Sequence, residues 1–197
     1  MQDFNRLKIC TNFIIKNSDR GKYLSDRFSI DSRRTSDNQV FISLEPDMAK
    51  NITNINHAIA VGASAFITPF CISRQRIGTS TPFLIVRDIK KIYVQLFKAD
   101  FKDKEQKPVI IGITGTNGKT STALLLAQAL TYQNKKVGVI SSEGRGIYSN
   151  LDANEYTTPP IDICYKYLRF FSKEKCDYVI IECSSQGLHQ GRLDGIH

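Results

Sequence analysis

The 197-residue chain has no stretch that approaches the roughly 18 apolar residues that a transmembrane helix needs. Its first segment, MQDFNRLKICTNFIIKN, has no long apolar core, so we expect neither a signal peptide nor a membrane partner. The five cysteines are odd in number, widely separated and without a CxxC pair, which disfavours a disulfide framework and a cysteine metal site. These absences predict a cytoplasmic protein with reduced, mostly buried thiols.

The chain also lacks a dense run of Lys and Arg, although its formal net charge is +8. Residues 1–107 contain 18 basic and 11 acidic side chains, whereas residues 108–197 contain nine and eight. No RNA-binding motif or aromatic stacking signature accompanies these charges, so we expect no nucleic-acid partner. The basic first part is a solvated surface that can attract an anionic ligand such as a nucleotide sugar.

A polar segment near the middle of the chain predicts a domain boundary. The sequence FKDKEQK at 101–107 is followed by Pro108 and then by the apolar run VIIGI. A proline favours extended backbone in the residue before it, as suits a linker that enters a strand. We therefore predict two domains, residues 1–104 and 105–197.

Apolar periodicity predicts an α/β fold on both sides of the boundary. In the first domain the predicted strands are Val40–Leu44, Ala65–Thr68 and Phe83–Val86, with helices that end near Gly62 and begin near Ile89. In the second, the predicted strands are Val109–Ile113, Lys136–Ser141 and Tyr178–Glu182, with helices from Lys119 and Ile161. The first domain is a small α/β domain, and the second is a mostly parallel, incomplete αβα domain whose first strand is expected to be buried. Residues 114–121 and 182–186 should lie at the carboxyl ends of parallel strands, where such sheets bind ligands.

The loop ITGTNGKTS resembles a phosphate-binding loop but departs from the strict pattern GxxxxGK[ST], because Ile113 stands where the first glycine should be. Its glycines still let backbone N–H groups approach an anion, and a helix begins directly after it. Lys119 is placed to reach the β- and γ-phosphates, and the hydroxyl of Thr120 or Ser121 to bind Mg²⁺. The alternative is a purely structural glycine-rich turn.

Several polar residues elsewhere are weak signals when taken one by one. Glu182 ends an apolar strand predicted to lie beside the loop's strand, so it could bind Mg²⁺ or be a solvated acid. Thr157 and Thr158 could cap the following helix, and His189 and Arg192 could be surface residues.

Taken together, these segments resemble the Mur ligases, which add amino acids to UDP-N-acetylmuramoyl precursors of bacterial peptidoglycan. The loop variant TGTNGKT[ST] is the family's own form. IDSRRTSDNQVFISL, YTTPP and ECSSQGLHQGRLDGIH resemble further family segments and cover most of residues 28–197. These three segments are most similar to the corresponding segments of family members that add diaminopimelate or lysine as the third residue. The chain departs from the family at Tyr156, at Gln186 and in the short Glu45–Met48 segment, which replaces a glycine-rich stretch.

The resemblance implies a role for each matching residue. ATP would be held by Gly115, Thr116, Asn117, Gly118, Lys119, Thr120 and Ser121. Mg²⁺ would be bound by Thr120 and Glu182, and the catalytic residues would be Lys119 and Glu182. The uridine nucleotide would contact Ile30 and Ser32, and the muramoyl-peptide end would contact Thr157, Thr158, Ser184, Gln190 and Arg192. The implied substrate is UDP-N-acetylmuramoyl-L-alanyl-D-glutamate, whose carboxylate is activated as an acyl phosphate before an amine displaces phosphate.

Members of this family have three domains, and the present sequence ends within the second. We therefore expect the 197-residue chain alone to have no ligase activity. We also expect it to be a monomer. The alternatives are a D-alanyl-D-alanine-adding Mur ligase, folylpolyglutamate synthetase, a non-catalytic nucleotide or UDP-sugar-binding remnant, or an unrelated P-loop kinase or ATPase. Folylpolyglutamate synthetase would lack the DSR segment, and the TTPP and ECSSQGL segments disfavour an unrelated ATPase.

Overall fold

The computed structural model describes residues 27–71, 80–100, 107–153 and 156–196. The chain divides into two compact units, Met1–Asp100 and Phe101–His197, and each is described by itself. The N-terminal segment with Cys10 and the predicted linker at 101–106 lie outside the described residues.

The first unit is a parallel sheet with helices between its strands. Its elements are β1 (Phe28–Ser29), β2 (Val40–Ile42), α1 (Met48–Ala60), β3 (Ala65–Thr68), β4 (Phe83–Ile85) and α2 (Ile89–Asp100). The strands lie in the order β1-β2-β3-β4, and all three pairings are parallel. The predicted α/β character of this unit is confirmed. The strand β1 was not predicted, because two residues are too few to show a period.

Helix α1 is fixed on this sheet by its caps and by one apolar face. Asp47 accepts a hydrogen bond from the N–H of Lys50 at its start, which satisfies a backbone donor that has no partner within the helix. Ile55 and Ala58 are fully buried against Phe41 and Phe66. The three-to-four-residue spacing of the apolar positions therefore predicted this helix correctly.

The second unit contains the longer sheet and three helices. Its elements are β5 (Val109–Ile113), α3 (Lys119–Tyr132), β6 (Val137–Ser141), β7 (Gly144–Ile147), β8 (Asn150–Asp152), α4 (Ile161–Lys173), β9 (Tyr178–Glu182) and α5 (Ser185–His189). The strand order is β5-β9-β6-β7-β8; β5, β9 and β6 are parallel, whereas β7 and β8 are added antiparallel. Among the described residues, every helix is too short or too polar to cross a bilayer.

Alternate residues of the central strands face two different helices. Val139 and Ile180 pack with Ala123 and Ala127 of α3. Their strand neighbours Ile140, Val179 and Ile181 pack instead with Leu168 and Phe171 of α4. Successive side chains of a strand point to opposite faces, so the sheet is covered by a helix on each side. The predicted three-layer αβα arrangement is confirmed.

The prediction that Val109–Ile113 is a buried strand is wrong for the described part of the chain. Strand β5 lies at the edge of the sheet and pairs there with β9 only, and Val109 is 56% exposed. The apolar run VIIGI indicates a parallel strand, but strand order within a sheet depends on pairings between distant segments. The strand that is buried along its whole length is β6, in the middle of the sheet, and β9, between β5 and β6, is buried from Val179 to Glu182.

Two adjacent aromatic residues of α4 differ in burial and make a matched test of the core. Phe171 is fully buried, whereas Phe170 is 40% exposed. We expect Phe171→Ala to lower the free energy of unfolding by about 3–5 kcal/mol, because it removes a ring from a packed core. Phe170→Ala should lower it by about 1 kcal/mol or less. Urea unfolding followed by circular dichroism measures both, and equal losses would contradict the packing described here.

The described cysteines are all free thiols, and three of the four are buried. Burial raises the pKa of Cys176 to about 11 and also raises the pKa of Cys164 and Cys183. Because the thiolate is the reactive form, these three thiols should be inert in the folded protein.

The exposed thiol, Cys71, should behave differently. In a Cys10→Ser background we expect one thiol to react rapidly with an aromatic disulfide reagent and the other three only after denaturation. Adding Cys71→Ser should abolish the rapid phase. A rapid phase that persists in this double variant would show that a buried thiol is accessible.

Candidate phosphate and metal site

The glycine-rich loop joins the end of β5 to the first residue of α3. Gly118 stands at the N-cap of the helix with φ 76°, a left-handed conformation that suits glycine, and no side chain caps the helix. In the part of the chain that the structure describes, none of the N–H groups from Thr116 to Ser121 donates to a protein acceptor. The loop and the first helical turn therefore present unpaired donors at the positive end of a helix dipole, which favours an anion.

Lys119 supplies the positively charged side chain of this loop. Its ammonium group donates to the carbonyl oxygen of Gly115 at 2.9 Å and to that of Thr116 at 3.3 Å. The side chain is thus folded back over the loop, with a positive charge next to the unpaired N–H groups. A phosphate group with two or three negative charges fits both features.

Glu182 lies opposite the loop and contacts it through Thr120. The hydroxyl of Thr120 is 3.0 Å from each carboxylate oxygen of Glu182. The contact arises because β5 and β9 are paired in parallel with Ile113 opposite Glu182, so the strands end at the same edge of the sheet. The sequence predicted both residues as magnesium ligands, and the structure places them side by side.

Ser142 is a third member of this cluster and was not predicted. It follows β6, and its Oγ is 2.9 Å from Thr120 Oγ1 and 3.1 Å from Glu182 Oε2. Its N–H also donates to Glu182 Oε2, at 3.0 Å. The position after a parallel strand was the signal that could have identified it, because the ends of such strands share one edge.

The electrostatics of Glu182 favour a bound cation. The residue is only 2% exposed, yet no Lys, Arg or His among the described residues forms an ion pair with it. Hydroxyl and amide donors compensate part of the lost hydration of a buried carboxylate, but they bring no opposite charge. The cluster offers only oxygen ligands, which hard cations such as Mg²⁺ prefer. These residues therefore fit Mg²⁺ beside a bound phosphate.

A second polar cluster lies at the carboxyl end of β9, next to the backbone of Glu182. Thr158 Oγ1 donates to the carbonyl oxygen of Glu182 at 2.8 Å and accepts from the N–H of Ser184, also at 2.8 Å. Ser184 caps α5 by accepting from the N–H of Gly187. A Cβ atom on Gly187 would lie 2.7 Å from Cβ of Thr158, so only glycine allows this close approach.

Arg192 also belongs to this second cluster. It donates to the carbonyl oxygen of Thr158 at 2.6 Å and to the side-chain oxygen of Gln190 at 2.8 Å, and it lies 5.7 Å from the ring centre of Tyr156. Four of the five residues predicted at the muramoyl-peptide end are thereby joined by hydrogen bonds, and the fifth, Thr157, is adjacent in sequence. Thr158 is buried, so its hydroxyl serves internal contacts, whereas Arg192 and Gln190 are partly or fully exposed.

The two residues predicted to contact a uridine nucleotide belong to the first unit. Ile30 is half-buried and Ser32 is buried in the turn that follows β1. The carbonyl oxygen of Ser32 is 3.1 Å from Nδ1 of His57 in α1. Side-chain hydrogen bonds from Arg33 hold the pKa of Asp31 below its usual value, and Asp31 thus anchors the exposed Arg33 guanidinium.

Fold and site together define an α/β protein in which a glycine-rich loop, a variant of the phosphate-loop pattern, precedes a helix and lies beside a buried carboxylate. The chain belongs to the Mur ligase family, since residues 113–197 match the model of the Mur ligase middle domain and the relatives that cover most of the chain are ligases of this family.

A curated relative from Janthinobacterium sp. (strain Marseille) is named UDP-N-acetylmuramoyl-L-alanyl-D-glutamate--2,6-diaminopimelate ligase. It is 34% identical to this chain over 172 residues, which are 85% of this chain and 34% of that protein. A solved structure of a ligase with the same name shares 31% identity at a TM-score of 0.69 and aligns with 85% of this chain and 34% of its own. The chain thus spans about a third of the length of these relatives.

A MurF ligase from Thermotoga maritima, solved in complex with ADP, shares the fold. The TM-score is 0.50 at 16% identity, and the alignment covers 89% of this chain and 36% of that one.

Because the Thr158 hydroxyl makes these internal hydrogen bonds, replacing it with an isosteric methyl group should lower the stability of the protein. Thr158→Val leaves the N–H of Ser184 and the carbonyl oxygen of Glu182 without their partner, so we expect a loss of about 1–3 kcal/mol in the free energy of unfolding. Thr158→Ser keeps the hydroxyl and should retain most of the stability. Thr157→Val is the neighbouring control. Thermal or urea unfolding measures all three, and a Thr158→Val variant as stable as the parent would refute the described hydrogen bonds.

Proposed function

We propose that this chain forms the nucleotide-binding part of an ATP-dependent amide-bond-forming ligase of peptidoglycan precursor synthesis. The amino acid added would be diaminopimelate or lysine, and the acceptor UDP-N-acetylmuramoyl-L-alanyl-D-glutamate. The observation that carries the proposal is the contact between Thr120, at the start of α3, and the buried carboxylate of Glu182. The names of the relatives support the choice of substrate.

The proposed ATP site consists of the loop from Gly115 to Ser121. Its unpaired N–H groups and the ammonium group of Lys119 would hold the phosphates, while Thr120 and Glu182 would hold Mg²⁺. Bound ATP would supply the phosphoryl group that activates the substrate carboxylate as an acyl phosphate. The protein's contribution is to align two negatively charged reactants and to offset their repulsion, which Lys119 and the helix N-terminus are placed to do.

The proposed substrate site extends from the second polar cluster. Arg192 and Gln190 are the accessible members of that cluster, and a guanidinium group is suited to a carboxylate or amide of the muramoyl-peptide end. Thr158 and Ser184 would keep Arg192 in place, and Thr157 would line the same end. In the first unit, Ile30 and Ser32 would contact the uridine nucleotide. We propose accordingly that residues 1–104 form the UDP-sugar domain and residues 105–197 part of the ATP-binding domain.

The free state of the described cysteines supports a cytoplasmic location, where thiols stay reduced. We further propose that the chain is a monomer.

The loop assignment is tested by removing its only positive side chain. Lys119→Ala should weaken ATP binding in the presence of Mg²⁺ by about tenfold or more, a change of about 1.4 kcal/mol, since a charge-assisted contact to phosphate is lost. Lys135→Ala, an exposed lysine shortly after the end of α3, is the matched control and should bind as the parent does. Isothermal titration calorimetry measures the affinities, and equal binding by Lys119→Ala and Lys135→Ala would refute the assignment.

A further inference from the structure

The contacts of Ser142 are distributed unevenly over the Glu182 carboxylate. Oxygen Oε2 accepts from both the N–H and the Oγ of Ser142 and also contacts Thr120. Oxygen Oε1 contacts only Thr120 among the described residues. A carboxylate oxygen has about two acceptor sites, so Oε2 is saturated whereas Oε1 keeps acceptor capacity. Ser142 thereby fixes one side of the carboxylate and leaves the other open.

The hydroxyl groups of the cluster also have more close contacts than protons. Thr120 Oγ1 is within 3.0 Å of both carboxylate oxygens and of Ser142 Oγ, and Ser142 Oγ is 3.1 Å from Glu182 Oε2. Two hydroxyl groups supply one proton each for these four contacts. Lone pairs of Thr120 and Ser142 consequently face other oxygen lone pairs, an arrangement that a cation stabilises.

A purely structural role for the Ser142 hydroxyl is disfavoured by the contacts around it. The turn after β6 is already closed by the hydrogen bond from Ser141 Oγ to the carbonyl oxygen of Gly144 and by the ladder between β6 and β7. Ser142 is itself exposed, and the one buried group that its hydroxyl contacts is the Glu182 carboxylate, the proposed metal ligand. Its N–H bond to Glu182 would survive truncation to alanine.

From these contacts we propose that Ser142 is a positioning residue of the Mg²⁺ site. Its hydroxyl holds Glu182 Oε2 so that Oε1 and Thr120 Oγ1 are directed together at the cation that accompanies the nucleotide phosphates. Substitution of a residue that orients a metal ligand typically lowers metal affinity by about 10- to 100-fold. The inference rests on the proposed ATP function and adds a residue that the loop pattern does not contain.

The test measures the Mg²⁺ dependence of ATP binding by the full 197-residue chain. We expect Ser142→Ala to raise the Mg²⁺ concentration that gives half-maximal enhancement of ATP binding by about tenfold, as for other residues that orient metal ligands. Ser142→Thr retains the hydroxyl and should restore near-parental dependence. Ser149→Ala, an exposed serine in the turn after β7, should leave the dependence unchanged. Calorimetric titrations of ATP at several Mg²⁺ concentrations and with a chelator provide the data.

Two further readouts separate positioning from other roles. ATP affinity in the presence of the chelator and the thermal unfolding midpoint should both be unchanged in Ser142→Ala. A parental Mg²⁺ dependence in this variant would overturn the proposal, as would equal loss of affinity with and without Mg²⁺ or a lowered unfolding midpoint. Parental protein that binds ATP with no Mg²⁺ enhancement would overturn the positioning role but leave ATP binding intact, whereas absence of any ATP binding would defeat the proposed function itself.

Discussion

The hydrogen bonds between Thr120 and Glu182 are the contact on which the candidate site depends. They join residues that are 62 positions apart in sequence and belong to different elements, the first turn of α3 and the end of β9. Their geometry follows from one register, in which Ile113 of β5 is opposite Glu182 of β9. A shift by one residue would turn the Glu182 side chain to the other face of the sheet. The buried apolar residues of β9 hold that register, because each is committed to one of the two helix-covered faces.

Glu182 also connects the two polar clusters. Its carboxylate accepts from Thr120 and Ser142, whereas its backbone carbonyl accepts from Thr158, which in turn binds Ser184. The proposed phosphate side and the proposed peptide side therefore share a single residue at the end of β9. In the proposed ligase, which would bring a carboxylate to a phosphate, such a shared anchor would provide a rigid reference for both reactants.

Local patterns predicted much of the second unit. Strands Val109–Ile113 and Tyr178–Glu182 have the predicted bounds, and α3 begins at Lys119, because apolar runs and a glycine-rich loop are read from adjacent residues. The antiparallel strands β7 and β8 were missed, since GRGIYSNLD has little apolar alternation and is held mainly by backbone pairing to β6. The edge position of β5 was also missed, because burial of a strand depends on which segments pair beside it.

Sequence and tertiary structure determined different parts of this protein. The sequence by itself determined the α/β class, the glycine-rich loop with Lys119 and the polar residues at the strand ends, because each depends on the chemistry of neighbouring residues. Only the tertiary structure decided that Ser142 joins Thr120 and Glu182, and that Arg192 is tied to Thr158. These contacts are made across separate strands and loops, and the pairing order of the sheet, which no local pattern contains, sets the distances between them.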